Sequence, residues 1–202
     1  MNIIVAVCKN RGIGKNNALP WVLKQDMKFF KEKTIGNGKN VIVMGNNTFK
    51  SLDKPLPKRK NIIFTRKNDN EIVRMNANSK VSKHDINNPI YFNNLNNFEN
   101  YVKNKKYENI WIIGGSEIYQ KFLPFTNKIY LTKIYNNFDC DTFFPPIPNN
   151  FNLIECSSIK KENYINFRYK TFINESVCKI DDEHKQKLNT HKVSWGCMNY
   201  KS

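Results

Sequence analysis

A carboxylate stands on the apolar side of a helix-period stretch near the N-terminus. Leu23, Met27 and Phe30 recur at i, i+4 and i+7, the spacing of one helix face. Asp26 falls three residues after Leu23 and four before Phe30, so it shares that face. An acid placed there is costly unless it is paired or hydrogen-bonded. Burial raises its pKa, which suits a group that exchanges or orients protons near neutrality. The alternative is that Asp26 caps the first helical turn and complements the helix dipole. The stretch before it favours chemistry. Gly12, Gly14 and Pro20 interrupt any regular pattern, Asn16 and Asn17 form turns, and Trp21 lies five residues before the acid. Such a loop closes over a flat ligand and excludes water.

Two strand-to-helix junctions carry a second kind of signal. Ile113-Gly114-Gly115-Ser116-Glu117-Ile118-Tyr119 joins an apolar strand to a helix start, and Gly45-Asn46-Asn47-Thr48 does the same earlier in the chain. Glycine lets a ligand approach the backbone, and free N–H groups at the helix start face phosphates. Neither junction is Gly-x-Gly-x-x-Gly, and tight helix–strand packing is the plain alternative. Arg59 follows Pro57-Lys58 in a rigid, basic connection, Arg66 follows Thr65 at the end of an expected strand, and arginine forks suit carboxylate and phosphate. As isolated residues they would be solvated loop positions. No metal ligands or nucleophile stand at a credible spacing.

Ile13-Gly14, Asn17, Leu19-Pro20-Trp21 and Asp26 with Phe30 resemble the signature of the dihydrofolate reductase family, and further blocks extend the likeness over roughly residues 2–173. The resemblance implies reduction of 7,8-dihydrofolate to tetrahydrofolate with NADPH, by hydride transfer to C6 and protonation of N5. Asp26 would bind the pterin's amidine edge and promote protonation through water near Trp21, and Thr132 would hydrogen-bond the Asp26 carboxylate. Ile4, Val5, Ala6, Leu19, Met27, Phe30, Leu52 and Ile113 would wall the substrate pocket, and Arg59 would grip the α-carboxylate of a glutamate tail. The same matching places NADPH along Ala6, Ile13, Gly14, Leu19, Gly45, Asn46, Asn47, Thr48, Thr65, Arg66, Ile113, Gly114, Gly115, Ser116, Glu117, Ile118 and Tyr119. Thr48 would bond the pyrophosphate, and Arg66, beside Thr65, would hold the 2′-phosphate. Asn46 departs from the Arg or Lys usual after that glycine. A pyrimidine reductase on the same fold would share Gly114-Gly115 without needing the Leu19-Pro20-Trp21…Asp26 block.

These residues need elements to position them. Apolar β-branched runs at 2–8, 39–45, 60–65 and 109–115 read as buried central strands. A short strand is expected at 89–92, a weak one at 72–74, and an alternating one at 128–135. Segments 151–158 and 164–173 follow without a helix between them, so they pair antiparallel. Helices are expected from 22–24 onward, after 46, over 95–105 and over 116–122. Strands alternating with helices predict a single α/β domain. Its mostly parallel twisted sheet has about eight strands, with helices on both faces and an antiparallel C-terminal strand.

Of the 202 residues, 40% are hydrophobic, enough for one globular domain. The dihydrofolate reductase-like unit is expected over 1–174, with an extension of unassigned role over 175–202. The net charge of +16 raises nucleic-acid binding as a rival. The lysines are spread along the chain, however, and polyanionic small ligands, dihydrofolate and NADPH among them, gain from the same field. Cys8, Cys140, Cys156, Cys178 and Cys197 are scattered and odd in number, which predicts free thiols. No run is long enough for a membrane span, and residues 3–7 are too short for a signal-peptide core. A cytoplasmic monomer without a nucleic-acid or membrane partner is the expectation.

Overall fold

A computed structural model describes residues 1–78 and 88–176. The elements run β1 (Asn2–Val7), β2 (Gly12–Gly14), α1 (Lys24–Ile35), β3 (Val41–Gly45), α2 (Asn46–Lys50), β4 (Lys60–Phe64), α3 (Asp69–Asn78), β5 (Ile90–Phe92) and α4 (Leu95–Lys103). They continue with β6 (Ile110–Gly114), α5 (Ser116–Phe122), β7 (Lys128–Ile134), β8 (Thr142–Phe143), β9 (Phe151–Cys156), β10 (Lys160–Glu162) and β11 (Ile165–Asn174).

Nine strands form one sheet in the order β10-β11-β7-β1-β6-β3-β4-β5, with β9 also on β11. Contacts from β7 through β5 are parallel, and β11 runs antiparallel to β7, β9 and β10. The expected architecture is present, with one strand more. That strand is β10, a three-residue segment whose sequence, Lys-Lys-Glu, has no apolar pattern to announce it.

Strand alternation divides the core. Ile3, Val5 and Val7 join Val43, Ile62, Phe64, Ile112, Phe122 and Leu131 on one face. Ile4, Ile42, Met44, Ile63 and Trp111 form the other, against Phe29 and Phe30 of α1. A sheet covered on both faces explains why its central strands are apolar at nearly every position.

Residues 72–74 are not a strand. They lie inside α3. Asn68 Oδ1 accepts the Glu71 N–H at 3.0 Å and Glu71 Oε2 accepts the Asn68 N–H at 3.3 Å, a reciprocal cap. That cap outweighs the local β-branched pair Ile72-Val73. The loop ahead of α1 is also more ordered than its glycines suggest, because β2 pairs antiparallel with β8. The tail residues His184 and His191, like Cys178 and Cys197, lie outside the described residues.

Candidate active site

Register places the acid's partner. In the parallel pair β1·β7, Ala6 stands opposite Thr132 and Ile4 opposite Tyr130. Paired residues point to the same side of a sheet, so Thr132 faces α1, as Ile4 and Ala6 do. The first turn of α1 then brings Asp26 over it. Thr132 Oγ1 donates to Asp26 Oδ1 at 2.6 Å, and Thr132 is buried. Burial pushes the Asp26 carboxyl above its ordinary pKa; the Thr132 hydrogen bond pulls against that, and the nearby Glu162 charge adds to it. A carboxyl held by one hydroxyl and poorly reached by water is poised to change protonation.

Around it, Trp21 is buried and packs on Phe138 with ring centroids 5.2 Å apart. Its indole Nε1 is buried without a hydrogen-bond partner among the described residues. The Tyr119 hydroxyl donates to the Ile4 carbonyl at 3.0 Å, fixing α5 against β1. Phe30, Leu52 and Ile113 pack with Ile4 in one cluster. Leu19 and Met27, 53% and 57% exposed, present apolar surface to solvent. Leu23 alone of the expected helix stripe is fully buried. Val5 departs from the expected wall. Its side chain belongs to the core on the opposite face, because it stands one residue out of phase with Ile4 and Ala6.

The two glycine junctions meet. A Cβ on Gly45 would lie 3.2 Å from Ile118 Cγ1, one on Gly115 would lie 3.4 Å from Thr48 Oγ1, and one on Gly114 would press the Tyr119 ring at 3.2 Å. Gly114 has φ 122, open to glycine. Side chains are thus absent where β3 and β6 end, and no side chain caps α2 or α5. This bare backbone beside the Thr48 hydroxyl fits a dinucleotide's pyrophosphate. Asn46 is half-buried and Asn47 exposed at the start of α2. Arg66 ion-pairs with Glu117, both largely exposed, which puts a guanidinium at the mouth of this junction beside Thr65.

Arg59 is buried. Nη1 donates to Thr34 Oγ1 at 2.7 Å and Nε to the Pro57 carbonyl at 3.0 Å, and the guanidinium lies over Phe30. Desolvation lowers its pKa. The arginine is therefore braced at the far end of α1 from Asp26.

The loop over the site is tethered on its outer side. Lys15 Nζ meets Asp139 Oδ2 at 2.8 Å, and Asp141 Oδ2 accepts the Asn16 N–H at 2.8 Å. Ser116 Oγ donates to the Phe143 carbonyl at 2.6 Å, and Phe143 pairs with Gly12. Half-buried Ile13 and Gly14 lie in this stitched segment. Sequence reasoning did not find these partners, and it missed Glu162 entirely. Nothing local marks a residue whose contacts lie 138 positions away. Among the described residues no group of His, Cys, Asp or Glu could hold a metal ion.

Known proteins resemble this chain in sequence and fold. The family profile described as dihydrofolate reductase matches residues 1–174. The dihydrofolate reductase of Drosophila melanogaster is 34% identical over 187 residues, covering 84% of this chain and 94% of that protein. That of Bacillus subtilis (strain 168) is 31% identical over 176 residues, covering 87% and 94%. The solved dihydrofolate reductase from Enterococcus faecalis, complexed with NADP(H) and RAB-propyl, superposes with a TM-score of 0.68 at 28% identity. The match covers 86% of this chain and 95% of that one.

Proposed function

The chain belongs to the dihydrofolate reductase family, and we propose that Asp26 is the acid of the reaction it catalyses. That reaction is the NADPH-dependent reduction of 7,8-dihydrofolate to 5,6,7,8-tetrahydrofolate. Bound NADPH supplies the hydride that adds to C6. The chain's own residues hold the pterin, bring a proton to N5 and keep bulk water away.

The observation that carries the reading is the Thr132–Asp26 hydrogen bond of 2.6 Å in a desolvated corner between β7 and α1. A carboxylate there matches the paired N–H donors of the pterin's amidine edge, and its raised pKa suits proton supply to N5. The unpartnered Trp21 Nε1–H offers a donor to a water on that route. Ile4, Ala6, Phe30, Leu52 and Ile113 form the walls, with Met27 and Leu19 supplying exposed apolar surface. Arg59 takes the α-carboxylate of the glutamate tail, held ready by Thr34 and the Pro57 carbonyl.

The cofactor runs across Gly45, Thr48, Gly114, Gly115 and the start of α5. Arg66 selects NADPH over NADH by exchanging Glu117 for the 2′-phosphate. We assign the reaction to residues 1–174, with 175–202 as an extension, and take the enzyme to be a cytoplasmic monomer. Among the described residues no helix is long and apolar enough to cross a membrane.

The direct test mixes purified protein with NADPH and follows cofactor oxidation on adding dihydrofolate. The expected result is dihydrofolate-dependent oxidation, abolished in Asp26→Asn. Oxidation of equal rate in that variant would remove Asp26 from the reaction.

A further inference from the structure

The helix that carries Asp26 has no cap of its own. Leu23 occupies the N-cap position in extended conformation, and its side chain accepts nothing. The first N–H groups of a helix lack intrahelical partners, and here they are met from near the other end of the domain. Glu162 Oε1 accepts the Lys24 N–H at 2.7 Å, and Oε2 accepts the Gln25 N–H at 3.0 Å. A carboxylate at this end also suits the helix dipole. The next residue, one position further along the chain, is Asp26.

The hairpin that delivers Glu162 is sharply specified. Asn163 and Tyr164, between β10 and β11, have φ 50 and φ 62. Two consecutive positive φ values make the two-residue turn that matches strand twist. Tyrosine adopts that region at a cost, and such strain persists where the surroundings demand it. Asn163 Nδ2 donates to the Val22 carbonyl at 3.4 Å. Residues 162 and 163 therefore grip the junction between the loop and α1 from both sides.

We propose that Glu162 is a positioning residue for the reduction: it fixes the first turn of α1 so that Asp26 meets Thr132, and it sets a second negative charge beside Asp26. This rests on Asp26 being the acid of the reaction. Four groups face Asp26 from the packed elements: Thr132 of β7, Tyr119 of α5, Tyr169 of β11 and Glu162 of β10. The first three are hydroxyls that stay neutral near pH 7. Glu162 is the one carboxylate of the four, and Tyr169 faces both it and Glu32. Its carboxylate opposes ionisation of Asp26, in the same direction as burial and against the Thr132 hydrogen bond.

The test uses the full chain and two variants, with Asp26→Asn alongside. Glu162→Gln loses the charge and keeps the side-chain length and one of the two acceptor oxygens; Glu162→Ala removes the cap. Single-turnover hydride transfer is measured against pH, together with Tm. In Glu162→Gln the pH at which the rate falls moves downward, the acidic plateau stays near the parent value, and Tm falls less than in Glu162→Ala. In Glu162→Ala the same shift is joined by a plateau lowered about tenfold to a hundredfold, the size of effect seen when a reacting group is misplaced. A Glu162→Gln profile that superimposes on the parent overturns the charge effect, and a parental plateau in Glu162→Ala overturns the positioning. If Asp26→Asn itself turns over at the parent rate, the fault lies with the assignment of Asp26, and the proposal falls with it.

Discussion

Asparagine at position 26 separates chemistry from architecture. The replacement keeps side-chain volume and leaves a carbonyl oxygen for the Thr132 hydroxyl, which now donates to Asp26 Oδ1 at 2.6 Å. The Glu162 contacts to the Lys24 and Gln25 N–H groups are to backbone, so the helix start survives. What is lost is an exchangeable proton and a charge. A positioned acid contributes about 10²- to 10⁴-fold in rate, or about 3 to 5 kcal/mol of barrier. Single-turnover hydride transfer at neutral pH therefore falls by that factor and loses its dependence on pH. Stability moves the other way. Burial raises the folded-state pKa of Asp26 above its ordinary value, so the folded chain binds more protons than the unfolded one in that window. Its stability is complete below the ordinary aspartate pKa and declines as pH rises through the folded value. Asparagine carries no such dependence, so the variant gains on the parent as pH rises. Stopped-flow hydride transfer and urea denaturation at several pH values read both effects. A rate within about tenfold of the parent's, short of the range for a lost acid, with the parental pH profile, would refute the reasoning.

Arg59→Leu should raise KM for dihydrofolate about tenfold to a hundredfold, the size of a lost charge-assisted hydrogen bond, with little change in kcat. Steady-state kinetics with a dihydropterin lacking the glutamate tail should show no such change, and an equal loss there would sink the assignment. Arg66→Ala should raise KM for NADPH far more than for NADH. Its ion pair with Glu117 is exposed and contributes little to stability, so Tm should hardly move. In Gly12→Ala, a Cβ would fall 2.4 Å from Cys140 Sγ and 2.9 Å from Cys8 Sγ. Overpacking of this kind costs about 1 to 3 kcal/mol, seen as a lowered urea midpoint and faster proteolysis within residues 12–21.

The sheet was legible because its central strands are apolar runs of β-branched residues, and that pattern has one structural outcome. The strand expected at 72–74 shows the limit. Ile72-Val73 reads as extended until the Asn68–Glu71 cap, formed a few residues upstream, starts a helix through them. Asp26 was legible from its break in the helix stripe. Thr132 became its partner only through family likeness, since a contact between residues 106 positions apart leaves no local trace. Val5 was assigned to the pocket by matching, whereas strand alternation turns it away. Glu162 lay beyond reach because a glutamate in a polar hairpin looks like any solvated residue until the fold brings α1 to it.

The first strand also separates two evolutionary pressures. Pinned between its neighbours, with Ile3 opposite Ile112 and Val5 opposite Leu131, it cannot slip by one position without turning every side chain over. On the proposed reading of the site, adaptation to a new pterin or an inhibitor works at Ile4 and Ala6, while Ile3, Val5 and Val7 answer to core packing. Residues adjacent in the chain thereby drift under unrelated constraints.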